Sequence, residues 1–212
     1  MKLVNLNLSE FNDEIDSKSP APGGGSVSAL ASSMGVSLSR MVGHLTVGKK
    51  KFKALDIEIQ NKFNNIEEEF LMIKKELISS IDKDTEAFNL IMAGFKLPKE
   101  TDEEKQIRKR KILEGTIEAI KVPYIVARLS LRALRNMEYI LEYGNKNTLS
   151  DIGVSTLMLY SGLEGAILNI KINISGLVDQ HMIDDYSNSS EDMLAEAKEI
   201  KTKILDKIHK SL

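Results

Sequence analysis

Asp82-Lys83-Asp84 sets two carboxylates inside a stretch whose apolar residues recur at helical spacing. Ile59, Phe63, Ile66, Phe70, Ile73 and Leu77 advance by alternating steps of four and three, and the same steps continued reach Ile81, Asp84, Phe88, Ile91 and Phe95. Asp84 therefore falls on the core-facing stripe. Asp82 points away from it, because residues two apart on a helix diverge by about 200°. A carboxylate on an apolar stripe is costly when charged and unpaired, so it needs a partner or a raised pKa. That makes Asp84 the first candidate for acid–base chemistry and Asp82 the second. An ion pair with an Arg or Lys of a neighbouring helix is the competing reading.

Three further groups have the right residue types for binding. Pro22-Gly23-Gly24-Gly25-Ser26 opens a helix, where glycines permit a sharp turn and the free N–H groups can face an anion or a carbonyl; a plain flexible connection would have the same composition. Lys49, Lys50 and Lys51 follow Gly48 and could attract phosphate or carboxylate groups, or be a solvated charge run. Gly162, Ala166, Asn169 and Asn173 share one helical face, with two small residues leaving room beside two carboxamides. The same face would also suit close helix packing.

These residues need helices to position them. Strand signals are scarce: apolar and polar residues do not alternate over any length, and no Asn-Gly or Asp-Gly hairpin occurs. The pattern predicts an all-α, single-domain bundle of long helices covering residues 1–212. Residues 3–17 read as a short amphipathic helix. A second helix, rich in Ser, Ala and Gly, runs from about Ser26 to Thr46, and small side chains let another helix approach closely. The long stripe follows and ends at Leu97-Pro98. Thr101 with Glu104 forms a capping box opening the next helix, which Pro123 is expected to kink or divide. Ser150 is expected to cap another helix running to about Leu177, with Asp151 in its first turn. The last spans roughly Ser190 to Lys210.

Composition narrows the functions. The absence of cysteine removes disulfides, cysteine–zinc sites and cysteine nucleophiles, and the three histidines, His44, His181 and His209, lack metal-ligand spacing, so no metal site is expected. A net charge of −2 gives no general reason for nucleic-acid or membrane partners. The N-terminus has no long apolar signal region, and serines, Arg40 and His44 interrupt the apolar run at Leu30–Val47, so a cytoplasmic protein is expected.

An ordered set of segments resembles one enzyme family. Pro22–Leu30, Met41-Val42, Leu45–Phe52, Asp82–Phe88, Leu97–Lys99, Gly144–Val154 and Gly165–Asn173 are similar, in that order, to the formiminotetrahydrofolate cyclodeaminase and methenyltetrahydrofolate cyclohydrolase family. The likeness covers about residues 20–175. Ser28, Ser32 and Ser33 stand where relatives often have alanine or glycine, a small-for-small exchange.

The resemblance implies an all-α homodimer with a folate site along its helices. It implies closure of 5-formimino-tetrahydrofolate to the 5,10-methenyl compound with release of ammonia, or hydration of the methenyl compound to 10-formyl-tetrahydrofolate. The tetrahydrofolate derivative is the substrate, and no other cofactor is implied. On this reading Asp84, with Asp82 second, is the acid–base group. Asp151, Asn169 and Asn173 are candidates for the pterin ring, Lys49, Lys50 and Lys51 for the anionic glutamate tail, and Gly23, Gly24, Gly25 and Ser26 for the pocket edge. A non-catalytic helical dimerisation protein is the alternative from another class, in which the small-residue helix is a dimer face.

Overall fold

A computed structural model describes residues 2–212. After a 3-10 turn at Leu3–Asn5, the chain forms α1 (Leu8–Ile15), α2 (Gly24–His44), α3 (Lys50–Lys53), α4 (Ile57–Phe95), α5 (Asp102–Tyr143), α6 (Leu149–Ile174) and α7 (Gln180–His209), with a second 3-10 turn at Lys146–Thr148. The described residues contain no strand, as the periodicity requires. Among them no helix is long and apolar enough to cross a membrane.

The helix ends follow local chemistry. Asn7 and Thr101 both make reciprocal capping boxes, with Glu10 and Glu104. Residues 3–17 are therefore not one helix: Asn7 starts a new one after the 3-10 turn. Three other starts differ from expectation. α2 begins at Gly24 rather than Ser26, and α6 begins at Leu149, so Ser150 lies inside it and caps nothing. α7 starts ten residues before Ser190, because the Asp179 carboxylate accepts the amides of His181 and Met182 and so supplies an N-cap.

Helices α2, α4, α5 and α6 form the central layer, α4 and α6 running antiparallel to α2 and α5. α7 covers α5 and α6, through Arg135–Glu196 and Lys203–Glu138 ion pairs at the rim and Ile208 beside Gly153. Phe63, Phe70, Ile73, Leu77, Ile120, Leu134, Met137, Leu159, Leu163 and Ile167 are fully buried between the layers. The α4 stripe holds as far as Ile81. Beyond it the buried positions shift to Ala87 and Gly94, while Phe95 is half exposed.

Small residues draw the four central helices together. A Cβ at Gly162 would lie 2.0 Å from Ser32 Oγ, and one at Gly35 would lie 2.9 Å from Leu159. Hydroxyls left in this dry contact bond each other: Ser32 to Ser130 and Ser39 to Ser155, each at 2.6 Å.

Pro123 neither divides α5 nor leaves a polar defect. Proline has no N–H, so the carbonyl four residues earlier, that of Ala119, loses its helical donor. Asn173 Nδ2 of α6 donates to that carbonyl at 2.8 Å. One side chain thus lets a buried proline stand inside a 42-residue helix. Replacing it leaves the carbonyl unsatisfied: Asn173→Ala is expected to lower stability by about 1–3 kcal/mol in urea unfolding. In a double-mutant cycle the loss should shrink on a Pro123→Ala background, where the backbone donor returns.

Candidate functional site

The glycine-rich segment ends in α2, whose first residues have no side chain of their own to cap them. Gly23 occupies the N-cap in extended backbone, and Asp84 supplies the missing acceptor from α4. Its Oδ2 accepts the Ser26 N–H at 2.9 Å and the Ser26 hydroxyl at 3.3 Å. Ser26 Oγ also donates to the Ile81 carbonyl at 2.7 Å, which locks one turn of α4 against the start of α2. Gly25 is needed for this approach: a Cβ there would lie 2.0 Å from Asp84 Oδ1. Any side chain at that position displaces the carboxyl group.

Two effects compete at Asp84. Burial favours the neutral acid, while the Ser26 amide and hydroxyl, at a helix N-terminus, favour the carboxylate. Burial prevails, and the Asp84 pKa is raised from its ordinary value. Oδ1 accepts no hydrogen bond from the described residues, so it is available to an incoming group. Asn169 stands alongside: its Nδ2 donates to the Gly165 carbonyl of its own helix at 2.8 Å and lies 3.1 Å from where a Gly24 Cβ would be.

Asp84, Gly23, Gly24, Gly25, Ser26 and Asn169 thus share one end of the bundle. Asn173, one turn beyond Asn169, has its amide engaged by Ala119. Asp82 accepts the backbone N–H of Leu3 at 2.6 Å. It pins the N-terminal turn on the other side of α4, as the angle between the two aspartates requires.

The remaining candidates lie elsewhere. Lys49, Lys50 and Lys51 follow the other end of α2, whose 21 residues put them roughly 30 Å from the glycine loop. There, with Leu45, Tyr143, Asn145 and Lys146, they line a cavity of about 360 Å³. Asp151 is five helical turns from Asn169, roughly 27 Å along α6, and belongs to the lysine end. Among the described residues no group of three or more His, Cys, Asp or Glu is placed to hold a metal ion.

A second carboxylate was not singled out from the pattern. Glu67 of α4 lies in a notch at Gly43 of α2, where a Cβ would come 2.1 Å from its Cδ. Both carboxyl oxygens are buried without a hydrogen bond, and Arg40 Nη1 stays 3.8 Å from Oε2 while donating to the Glu67 backbone carbonyl. Four residues after Phe63 and three before Phe70, Glu67 borders the same apolar stripe, and that spacing was the available signal. Burial pushes its pKa up to about 7, against the pull of Arg40.

Comparison with known proteins places the whole chain beside one family. A profile of the family described as Formiminotransferase-cyclodeaminase matches residues 7–208. A methenyltetrahydrofolate cyclohydrolase from Methylorubrum extorquens is 35% identical over 96% of both chains. The formimidoyltransferase-cyclodeaminase of Gallus gallus is 32% identical over 93% of this chain, a span that makes up 36% of that larger protein. In fold, the chain superposes on a crystal structure of formiminotetrahydrofolate cyclodeaminase from Thermotoga maritima with a TM-score of 0.84, at 23% identity and covering 97% and 96% of the two chains.

Glu67 makes stability depend on pH. Its folded value of about 7 lies above the ordinary 4.5, so across that interval the native state binds the proton that the unfolded chain has released. Stability is therefore fullest below the lower value and is lost as pH rises towards the upper one. Glu67→Gln should remove this decline. The difference in melting temperature between variant and wild type is expected to grow in the variant's favour from pH 4.5 to pH 7.

Proposed function

The chain belongs to the formiminotransferase-cyclodeaminase family, and from that premise we propose that it is a one-carbon folate enzyme converting 5-formimino-tetrahydrofolate to 5,10-methenyl-tetrahydrofolate and ammonia. The observation that carries the reading is Asp84: a carboxyl group raised in pKa by burial, fixed by Ser26 at the start of α2, with one oxygen free.

Its chemistry follows from that state. N10 of the folate adds to the formimino carbon and passes its proton to the former imine nitrogen, giving a tetrahedral carbon between N5 and N10. Asp84, in the protonated form that its raised pKa makes more accessible, protonates that amine. The C–N bond breaks and ammonia leaves with the original imine hydrogen, the N10 proton and the Asp84 proton. The ring left behind is cationic, and the new Asp84 carboxylate stabilises it across a site of low dielectric. The tetrahydrofolate derivative is the substrate, and the residues named need no other cofactor for these steps. Asn169 and the glycine loop would hold the ring system, and the lysine run would attract the glutamate tail. The reaction suits a cytoplasmic setting.

A second reading, hydration of the methenyl compound to 10-formyl-tetrahydrofolate, is favoured by the likeness over nearly its whole length to the Methylorubrum extorquens cyclohydrolase. It uses the same group in the opposite sense. The Asp84 carboxylate takes a proton from water as the hydroxyl adds to the ring carbon, and returns it to N5 as the C–N5 bond opens; the hydroxyl proton leaves to solvent as the formyl carbonyl forms.

We also propose that the protein is a homodimer. Gly24, Val27, Ala31, Met34, Leu38, Met41 and Leu45 form an apolar stripe along the outward side of α2, and Met34 is 51% exposed. Val154, Leu157, Leu168 and Ile172 extend the patch on α6.

Mixing the protein with 5-formimino-tetrahydrofolate is expected to raise the methenyl absorbance and release ammonia. A fall in absorbance when methenyl-tetrahydrofolate is supplied, above the uncatalysed rate, would instead mark the cyclohydrolase. In either case Asp84→Asn should lower kcat by about 10²–10⁴. Light scattering should give the mass of a dimer, and Met34→Glu that of a monomer.

A further inference from the structure

The residues expected to meet one folate molecule sit at two ends of α2, roughly 30 Å apart. That is further than a folate with a single glutamate reaches. Yet the outward apolar stripe joins the two ends. Gly24, which abuts Asn169, begins it, and Leu45, which lines the lysine cavity, ends it.

The stripe is also centred. On α2 its exposed members Val27 and Met41 stand seven residues either side of Met34. On α6, Val154 and Leu168 stand seven either side of Ser161. The notches at Gly35 beside Leu159 and Gly162 beside Ser32 put Met34 and Ser161 at the same level. A two-fold axis through that level and perpendicular to the helices maps the patch onto itself and reverses its ends. The alternative, an axis parallel to the helices, would set Lys49, Lys50 and Lys51 against their own copies. The reversed pairing instead separates the two lysine runs to opposite ends of the dimer.

We propose that the substrate site is composite: the glycine loop, Asp84 and Asn169 of one copy, completed by Lys49, Lys50 and Lys51 of a second copy packed antiparallel on the α2–α6 face. The lysines hold the anionic tail of a substrate whose ring lies at the first copy's Asp84. This rests on the folate reading above, and each dimer then contains two such sites.

Complementation tests it. Asp84→Asn and the triple variant Lys49→Ala, Lys50→Ala, Lys51→Ala are each expected to be nearly inactive on a monoglutamyl substrate. A hybrid of the two, isolated through different affinity tags, carries one wholly wild-type site and should recover about half of the wild-type rate. A hybrid no better than its parents, beside an active wild type, would place the site within one chain and overturn the proposal; so would a triple lysine variant of full activity.

A second measurement needs no turnover. The chain has no cysteine, so Val27→Cys and Leu45→Cys each introduce a single thiol. A short bismaleimide should join the two variants when mixed and neither with itself. Self-linking of either variant would show like ends together and sink the antiparallel arrangement whatever the wild-type activity. Absence of folate turnover by wild type, with the mixed crosslink formed, would instead remove the folate reading and, with it, the assignment of the site.

Discussion

Helix α2 has almost no side-chain volume where it meets its neighbours, and the bundle depends on that. Gly25, Gly35 and Gly43 on α2, with Gly162 on α6, sit where an added methyl would lie within 3 Å of another helix. Ser32 and Ser39 fill the remaining contacts, their hydroxyls paired with those of Ser130 and Ser155 respectively. Dispersion falls steeply with distance, so backbones this close gain contact that larger side chains could not provide from further away. The arrangement tolerates almost no change of volume.

The same closeness creates the chemistry. Glycine notches at both ends of α2 admit a carboxyl group from α4: Asp84 at Gly25 and Glu67 at Gly43. Each is held where water is largely excluded, and burial raises both pKa values. The partners differ. Asp84 receives the amide of Ser26, whereas both Glu67 oxygens are without a hydrogen bond. Thus two similar packing solutions give one carboxyl fixed in orientation and one that acts mainly as a pH-dependent load on the fold. Asn173 belongs to the same economy of polar groups, since its amide compensates the donor that Pro123 removes from α5.

The apolar stripe on the outside of α2 is the other face of this design. With three sides of the helix committed to α4, α5 and α6, the fourth carries Val27, Met34, Met41 and Leu45 into solvent. A second copy over that face would shield it, and would give Asp84 the surroundings that a half-open end of a bundle lacks. In that arrangement the packing of α2 within one chain and the completion of the site between two chains are consequences of one helix with two differently used surfaces.

The sequence by itself determined the all-α class, the capping box at Thr101, the α4 stripe as far as Ile81 and the opposed directions of Asp82 and Asp84. These follow from periods and caps that are local, fixed by 3.6 residues per turn and by side chains three or four positions apart. The ordered segments from Pro22 to Asn173 also led to the family. Local rules could not reveal that Asp84 caps α2 from 58 residues away, that Asn173 repairs the gap left by Pro123 from 54 residues away, or that Glu67 lies in the notch of Gly43. Nor could they show that the lysines and the glycine loop occupy opposite ends of one helix. Those relations exist only once the helices have packed, because contacts across helices depend on which faces meet and at what level, and spacing along one chain segment carries no record of either.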